Sequence, residues 1–124
     1  MIKGVGMDLV ELERIRELLS DRFIERILSE KEMKEYQNLA HEQVKLEFIG
    51  GRFAAKEAIS KALGTGIGNG VSFQDIEIFN NSKGAPEVKL TGGAAEVLQS
   101  LGAKQVLLSL SDEKEYAIAY AVLV

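Results

Sequence analysis

Gln43-Val-Lys-Leu-Glu-Phe-Ile-Gly-Gly-Arg52-Phe-Ala-Ala-Lys56-Glu57-Ala-Ile-Ser60-Lys61-Ala-Leu-Gly64 is the stretch on which the reading of the fold turns. Phe48, Ala55, Ile59 and Ala62 fall on one helical stripe, so the spacing predicts a long helix from about Gln43 to Leu63. Gly64 supplies the left-handed residue on which such a helix ends. The Gly50-Gly51 pair inside it costs ~1 kcal/mol per glycine relative to alanine. A cost of that kind marks a place where something packs close to the backbone.

Upstream, Ser29-Glu-Lys-Glu32 has the S-x-x-E form of a capping box and starts a separate helix. A helical piece over Phe23 to Leu28 precedes it, and from Leu9 onward Leu12, Ile15, Leu18 and Leu19 keep helical spacing. The chain opens on Ile2-Lys-Gly-Val-Gly-Met-Asp8, a short strand whose Gly4 and Gly6 let backbone or ligand approach closely. Downstream, beyond the turn Gly64-Thr-Gly-Ile-Gly-Asn-Gly70, the period falls to two. Phe73 to Phe79 and Pro86 to Leu90 read as strands joined through Asn80-Asn-Ser-Lys-Gly84. Thr91 is placed to cap a short helix through Leu101, closed by Gly102, and two last strands cover Val106–Leu110 and Tyr116–Val122. In the final strand Tyr116, Ile118, Tyr120 and Val122 lie opposite a row of alanines, so it belongs in the middle of a sheet or beneath another subunit. The fold class is α+β, with helices on one side of an antiparallel sheet.

At 124 residues, with no linker, repeat or low-complexity tract and Pro86 as the only proline, the chain reads as one domain over residues 1–124. The absence of cysteine excludes disulfides, thiolate zinc sites and thiol nucleophiles. His41 is the only histidine and lies in a polar stretch, which argues against a histidine metal cage or a triad. A net charge of −4 argues against general nucleic-acid binding. No apolar run approaches the roughly 20 residues of a membrane span, and no leader pattern stands at the start, so the cytoplasm is the expected setting.

Two acids invite a chemical reading. Asp8, at the end of the first strand, is a helix cap or a ligand. Glu57 and Lys61 share a helical face at i,i+4, either as a surface ion pair or as part of a site that apolar Phe53 keeps from being fully solvated. Should Asp8 and Glu57 converge, they offer two hard oxygen ligands suited to Mg²⁺ completed by water and phosphate, with Lys61 one turn on to neutralise a phosphate oxygen. The N–H groups of Gly64-Thr-Gly-Ile-Gly are candidates for an anion nest, although the order is not that of a P-loop. Arg14, Arg16, Arg22 and Arg26 are either helix-surface charge balanced by Glu11, Glu13, Glu17 and Glu25 or a dock for an acidic partner.

Taken together, these segments resemble the holo-acyl-carrier-protein synthase family, the small 4′-phosphopantetheinyl transferases. Gly4-Val-Gly-Met-Asp8-Leu-Val-Glu-Leu-Glu-Arg14 is similar to the family's G-[IV]-G-x-D-[IL]-x-x-x-x-R signature, and Phe23-Ile-Glu-Arg-Ile-Leu-Ser-Glu-Lys-Glu32 to its F-x-x-R-[IV]-[LF]-[ST]-x-x-E segment. Gly51-Arg-Phe-Ala-Ala-Lys-Glu57-Ala-Ile-Ser-Lys61-Ala-Leu-Gly-Thr-Gly66 resembles its most diagnostic block, and Phe73-Gln-Asp-Ile-Glu-Ile, Gly84-Ala-Pro86 and Tyr116-Ala also correspond. The resemblance implies the fold of that family, with its long central helix. It also implies transfer of the phosphopantetheine arm of coenzyme A to a serine of an apo acyl carrier protein, releasing 3′,5′-ADP, in support of fatty acid biosynthesis. Asp8, Glu57 and Lys61 are then the catalytic residues, with Asp8 and Glu57 holding Mg²⁺, or Mn²⁺ as the other ion such ligands accept. The implied coenzyme A surface comprises Asp8, Arg52, Phe53, Glu57, Lys61, Gly64, Thr65, Gly66 and Pro86, and the implied carrier contacts are Arg14, Arg22 and Arg26. A homotrimer with sites between subunits is implied as well. One position departs from the pattern: Ser109-Leu-Ser-Asp112 stands where the family has S-[IV]-[ST]-H. An anionic Asp112 repels a nearby pyrophosphate, and the alternative it raises is a coenzyme A-binding protein with reduced or no turnover.

Overall fold

In a computed structural model describing residues 1–124, the predicted helix forms as α4, Glu42–Leu63, and Gly64 ends it in the left-handed region at φ 82°. Its buried stripe runs through Leu46, Ile49, Ala54, Ala55, Ala58, Ile59, Ala62 and Leu63. Against it lies a three-stranded antiparallel sheet built from β1 (Gly4–Glu11), β4 (Val106–Asp112) and β5 (Tyr116–Leu123) in the order β1-β5-β4. The last strand is therefore central, as its two apolar faces require. Ala117, Ala119, Ala121 and Leu123 turn inward and are buried against α4. Small residues on the sheet let a helix settle close, and β1 carries this further. A Cβ on Gly4 would run into the Ala62 carbonyl oxygen, and one on Gly6 into the Ala58 carbonyl oxygen. Both glycines admit the α4 backbone itself.

The remaining helices, α1 (Leu12–Leu18), α2 (Asp21–Ile27) and α3 (Glu30–Gln37), fold over one side of α4. The capping box at the start of α3 is present in both directions, with Ser29 and Glu32 satisfying each other's backbone N–H. Gly50 packs beneath the Leu12 side chain of α1, which explains its place in a helix, whereas nothing lies near a Cβ on Gly51. A second, two-stranded sheet pairs β2 (Ile76–Asn80) with β3 (Pro86–Leu90), and α5 (Gly92–Ser100) follows it.

Several boundaries differ from the sequence reading, and β4 runs on to Asp112, past the expected Leu110. The first strand runs to Glu11 instead of Asp8, so Asp8 sits mid-strand opposite Ala119 and caps no helix. The apolar spacing that begins at Leu9 mimics a helix, but Leu9 faces outward from the strand and α1 begins at Leu12. The stretch expected as a strand from Phe73 starts with a 3-10 turn, Phe73–Asp75, because the Asp75 carboxylate accepts from the Ser72 N–H while the Asp75 N–H donates to the Ser72 carbonyl.

The outer face of the three-stranded sheet is bare in the single chain: Val5, Met7, Leu9, Leu107, Tyr116, Ile118 and Tyr120 are 38–62% exposed. A contiguous apolar sheet face of this kind marks an interaction surface.

Candidate active site

β1 runs antiparallel to the axis of α4 in the contact that Gly4 and Gly6 permit: Gly4 meets Ala62, and Gly6 meets Ala58 and Ala62. Two strand residues advance about 6.8 Å, close to the ~5.4 Å of a helical turn, so each inward residue of β1 meets roughly one further turn of α4. Asp8 is the next inward residue after Gly6, and the geometry brings it to the side of α4 that carries Glu57 and Lys61. The Lys61 ammonium donates to Asp8 Oδ1 at 2.8 Å and to the Met7 carbonyl at 3.1 Å. The Asp8 side chain is 15% exposed and that of Lys61 51%, so the pair sits at a rim open to solvent.

Lys61 therefore pairs with Asp8, and the i,i+4 ion pair with Glu57 that the spacing suggested does not form. An ammonium has three donors, and two are engaged here. Glu57 is half-buried. Burial and the charge of Asp8 hold its carboxyl above the ordinary carboxylate range, while Lys61 and Arg26 pull it back. Glu57, whose ionisation burial and the Asp8 charge oppose, lies with Asp8 beside a cation with one donor free, an arrangement that a divalent ion and a phosphate would balance together. No third carboxylate or imidazole joins them, so the donor set fits an ion such as Mg²⁺ that keeps water or substrate oxygens in its other positions.

The other predicted residues are distributed unevenly. Phe53 lies between Phe23 and Phe73, with ring centroids 6.0 and 5.8 Å away. Gly64, Thr65 and Gly66 follow α4 at the Lys61 end, but the expected nest is not available there. Their N–H groups donate to the Lys61 and Ser60 carbonyls, because the last turn of the helix needs those donors. Arg52 points elsewhere. It is buried, with its guanidinium over Phe48 at 4.4 Å and its nitrogens 3.7 and 3.5 Å from Glu32 and Glu35. Pro86 opens β3, paired with Asn80 on the separate hairpin. Arg14, Arg22 and Arg26 are exposed on α1 and α2, and Arg16 pairs with Glu13. Asp112 ends β4 beside a cleft of about 250 Å³ that Glu47, Phe48 and Arg52 also line. Desolvation and the Glu47 charge raise its carboxyl above the usual range.

The residues alone assign no role to Lys56 or Gln74, and to Glu32 only its part in the capping box. Lys56 is completely buried, and its ammonium donates to Glu32 Oε1, the Ile27 carbonyl and the Phe73 carbonyl. The available signal was its position: Lys56 falls on the alanine-rich face with Ala55 and Ile59, where an unpaired charge is excluded.

Comparison with known proteins shows the family. The family model of the 4′-phosphopantetheinyl transferase superfamily matches residues 4–121. The chain is 50% identical to a holo-[acyl-carrier-protein] synthase of Oceanobacillus iheyensis, covering 99% of this chain and 97% of the relative. It is 49% identical to one of Shewanella frigidimarina, covering 98% and 97%. Among solved structures, the holo-(acyl-carrier-protein) synthase of Bacillus anthracis in complex with CoA (3′,5′-ADP) superimposes with a TM-score of 0.85 at 46% identity, covering 99% and 96% of the two chains. That of Neisseria meningitidis gives 0.90 at 37% identity, covering 100% and 99%. With sequence and overall fold in agreement, the chain belongs to the holo-acyl-carrier-protein synthase family of the 4′-phosphopantetheinyl transferase superfamily.

Proposed function

We propose that this phosphopantetheinyl transferase moves the 4′-phosphopantetheine arm of coenzyme A onto a serine of an apo acyl carrier protein in a Mg²⁺-dependent reaction, releasing 3′,5′-ADP. The observation that carries the reading is the meeting of Asp8, Glu57 and Lys61 across the β1–α4 contact. In the reaction the serine oxygen forms a bond to the β-phosphorus of the coenzyme A pyrophosphate, and the bond from that phosphorus to the bridging oxygen breaks. Asp8 and Glu57 are the residues that would hold Mg²⁺, and the ion would draw off charge from the pyrophosphate as it builds. Lys61 keeps the Asp8 carboxylate in place and has its third donor free for a phosphate oxygen. The serine hydroxyl must lose a proton, and the Glu57 carboxylate is the group on this chain suited to accept it.

The coenzyme A surface of this proposal runs along Phe53 and the Gly64–Gly66 turn, with Pro86 at its outer limit and Arg52, buried against Glu32 and Glu35, outside it. Arg14, Arg22 and Arg26 receive the acidic carrier. A homotrimer covers the bare face of β1, β5 and β4, whose exposed Val5, Met7, Leu9 and Tyr120 support it. Residues 1–124 act as one transferase domain in the cytoplasm, in service of fatty acid biosynthesis. No helix is long and apolar enough to cross a membrane.

A second reading, a coenzyme A-binding protein with little turnover, draws on Asp112, whose carboxyl is raised above the usual range by burial and the Glu47 charge. Incubation with labelled coenzyme A, Mg²⁺ and apo carrier separates the readings. Transfer predicts label on the carrier serine and free 3′,5′-ADP, whereas saturable binding with an unlabelled carrier supports the second reading.

A further inference from the structure

The end of α2 is held in an unusual way. Beyond the Leu28 N–H to Ile24 bond, the carbonyls of Glu25, Arg26, Ile27 and Leu28 have no partner within the helix. All four are met by two side chains from other elements. Gln74, in the 3-10 turn, donates through Nε2 to the Glu25 and Leu28 carbonyls at 2.7 Å and, more weakly, to that of Arg26 at 3.4 Å. From inside, the Lys56 ammonium donates to the Ile27 carbonyl at 2.7 Å. The positive ammonium also suits the negative end of the helix dipole.

Lys56 does more than cap. It donates to the Phe73 carbonyl at 3.3 Å, which ties in the 3-10 turn that carries Gln74. It also pairs with Glu32, whose two oxygens in turn accept from the Ser29 and Ile78 N–H groups. One buried cation thus fastens the end of α2, the start of α3, the 3-10 turn and β2 to a single point on α4. That point is the residue immediately before Glu57. On the outer side, Arg26 lies over the Phe73 ring at 5.4 Å, and Phe23 is packed on Phe53.

We propose that Lys56 and Gln74 are positioning residues for carrier recognition. By saturating the carbonyl end of α2 from inside and outside, they hold Arg22 and Arg26 at a set place relative to Glu57 and Asp8. The proposal rests on the carrier-docking reading of those arginines. A capping role alone would affect stability. A positioning role sets how well the carrier serine is delivered, and acts far less on coenzyme A, whose pyrophosphate this reading places at Lys61, one helical turn beyond Glu57.

The test measures the Michaelis constants for coenzyme A and for apo carrier separately in wild type, Gln74→Met and Lys56→Met/Glu32→Gln. The double variant removes the Lys56 and Glu32 charges together, and Arg52, which Glu32 also faces, keeps Glu35 as its partner. Both variants are expected to raise the carrier constant by about tenfold, the scale of a lost hydrogen-bonded clamp, with the coenzyme A constant within about twofold. Gln74 is exposed enough for its variant to fold, so it decides the matter alone if the double variant does not. A carrier constant that is unchanged, or that moves in step with the coenzyme A constant, overturns the positioning role. A wild-type protein that modifies no carrier overturns the functional reading itself, and this inference with it.

Discussion

Lys56 and Lys61 stand five residues apart on one helix, and each meets a carboxylate from a distant part of the chain: Glu32 at 2.5 Å and Asp8 at 2.8 Å. Their settings are opposite. The Lys56 side chain is 0% exposed and that of Lys61 51%. A buried ammonium has to spend every donor on protein, and Lys56 has three acceptors. A rim ammonium can leave one donor open to water or ligand, and Lys61 does. The same pair of residue types therefore serves architecture where it is saturated and chemistry where it is not.

The largest expected effect falls on the rim. Asp8→Ala or Glu57→Ala should lower transfer to the carrier by roughly 10²–10³-fold or more while circular dichroism and the urea midpoint stay close to wild type. Chelation of divalent ions should produce the same loss reversibly. A variant of the rim that unfolds, or one that transfers normally, breaks the distinction between the two pairs.

The interior should respond in the reverse sense. Lys56→Met takes the ammonium from Glu32 in the core, leaving Arg52 at 3.7 Å as its nearest cation, and should cost about 3 kcal/mol in urea unfolding. Lys61→Ala should cost less than about 1 kcal/mol, because its pair is half-exposed, yet it should slow turnover and weaken coenzyme A binding. Equal stability losses at the two lysines would remove the contrast. Gly6→Ala lies between these cases. Its methyl group meets the Ala58 carbonyl, so β1 must shift from α4, with an expected loss of about 1–3 kcal/mol and a drop in activity as Asp8 is displaced.

How much of this was legible in the sequence depended on the range of the signal. The capping box at Ser29 and Glu32 and the Gly64 helix end are local patterns, and both formed where expected. Gly4 and Gly6 announced a close approach, but which backbone would arrive was not written in their neighbourhood. Lys61 shows the limit most clearly. The i,i+4 spacing to Glu57 is visible in the helix, whereas Asp8, which takes the ammonium, comes from 53 residues away. Glu32 likewise reads as a capping residue, and its service to Lys56 appears only when α3 and α4 meet. Apolar spacing at Leu9, Leu12 and Ile15 fits a helix as well as it fits a strand that turns into one, so the spacing does not locate the end of β1 at Glu11.

Asp112 should give the smallest effect. Its carboxyl is raised in the folded chain, so the fold binds more protons than the unfolded chain just above the ordinary aspartate range. That contribution is present at acid pH and lost as pH rises through the raised value. Asp112→Asn should therefore give a slight gain in urea midpoint at neutral pH, weakened by solvent and salt, that disappears on acidification. Asp112→His should preserve or raise transfer, and a large loss would show that the aspartate has a role of its own.

The most direct test of the account is the intact mass of an apo acyl carrier protein after incubation with this protein, coenzyme A and Mg²⁺. The account predicts a gain of about 340 Da on one serine, the mass of the transferred arm, and no gain with Asp8→Ala. A carrier left at its original mass by the wild type, or fully modified by the Asp8→Ala variant, would contradict it.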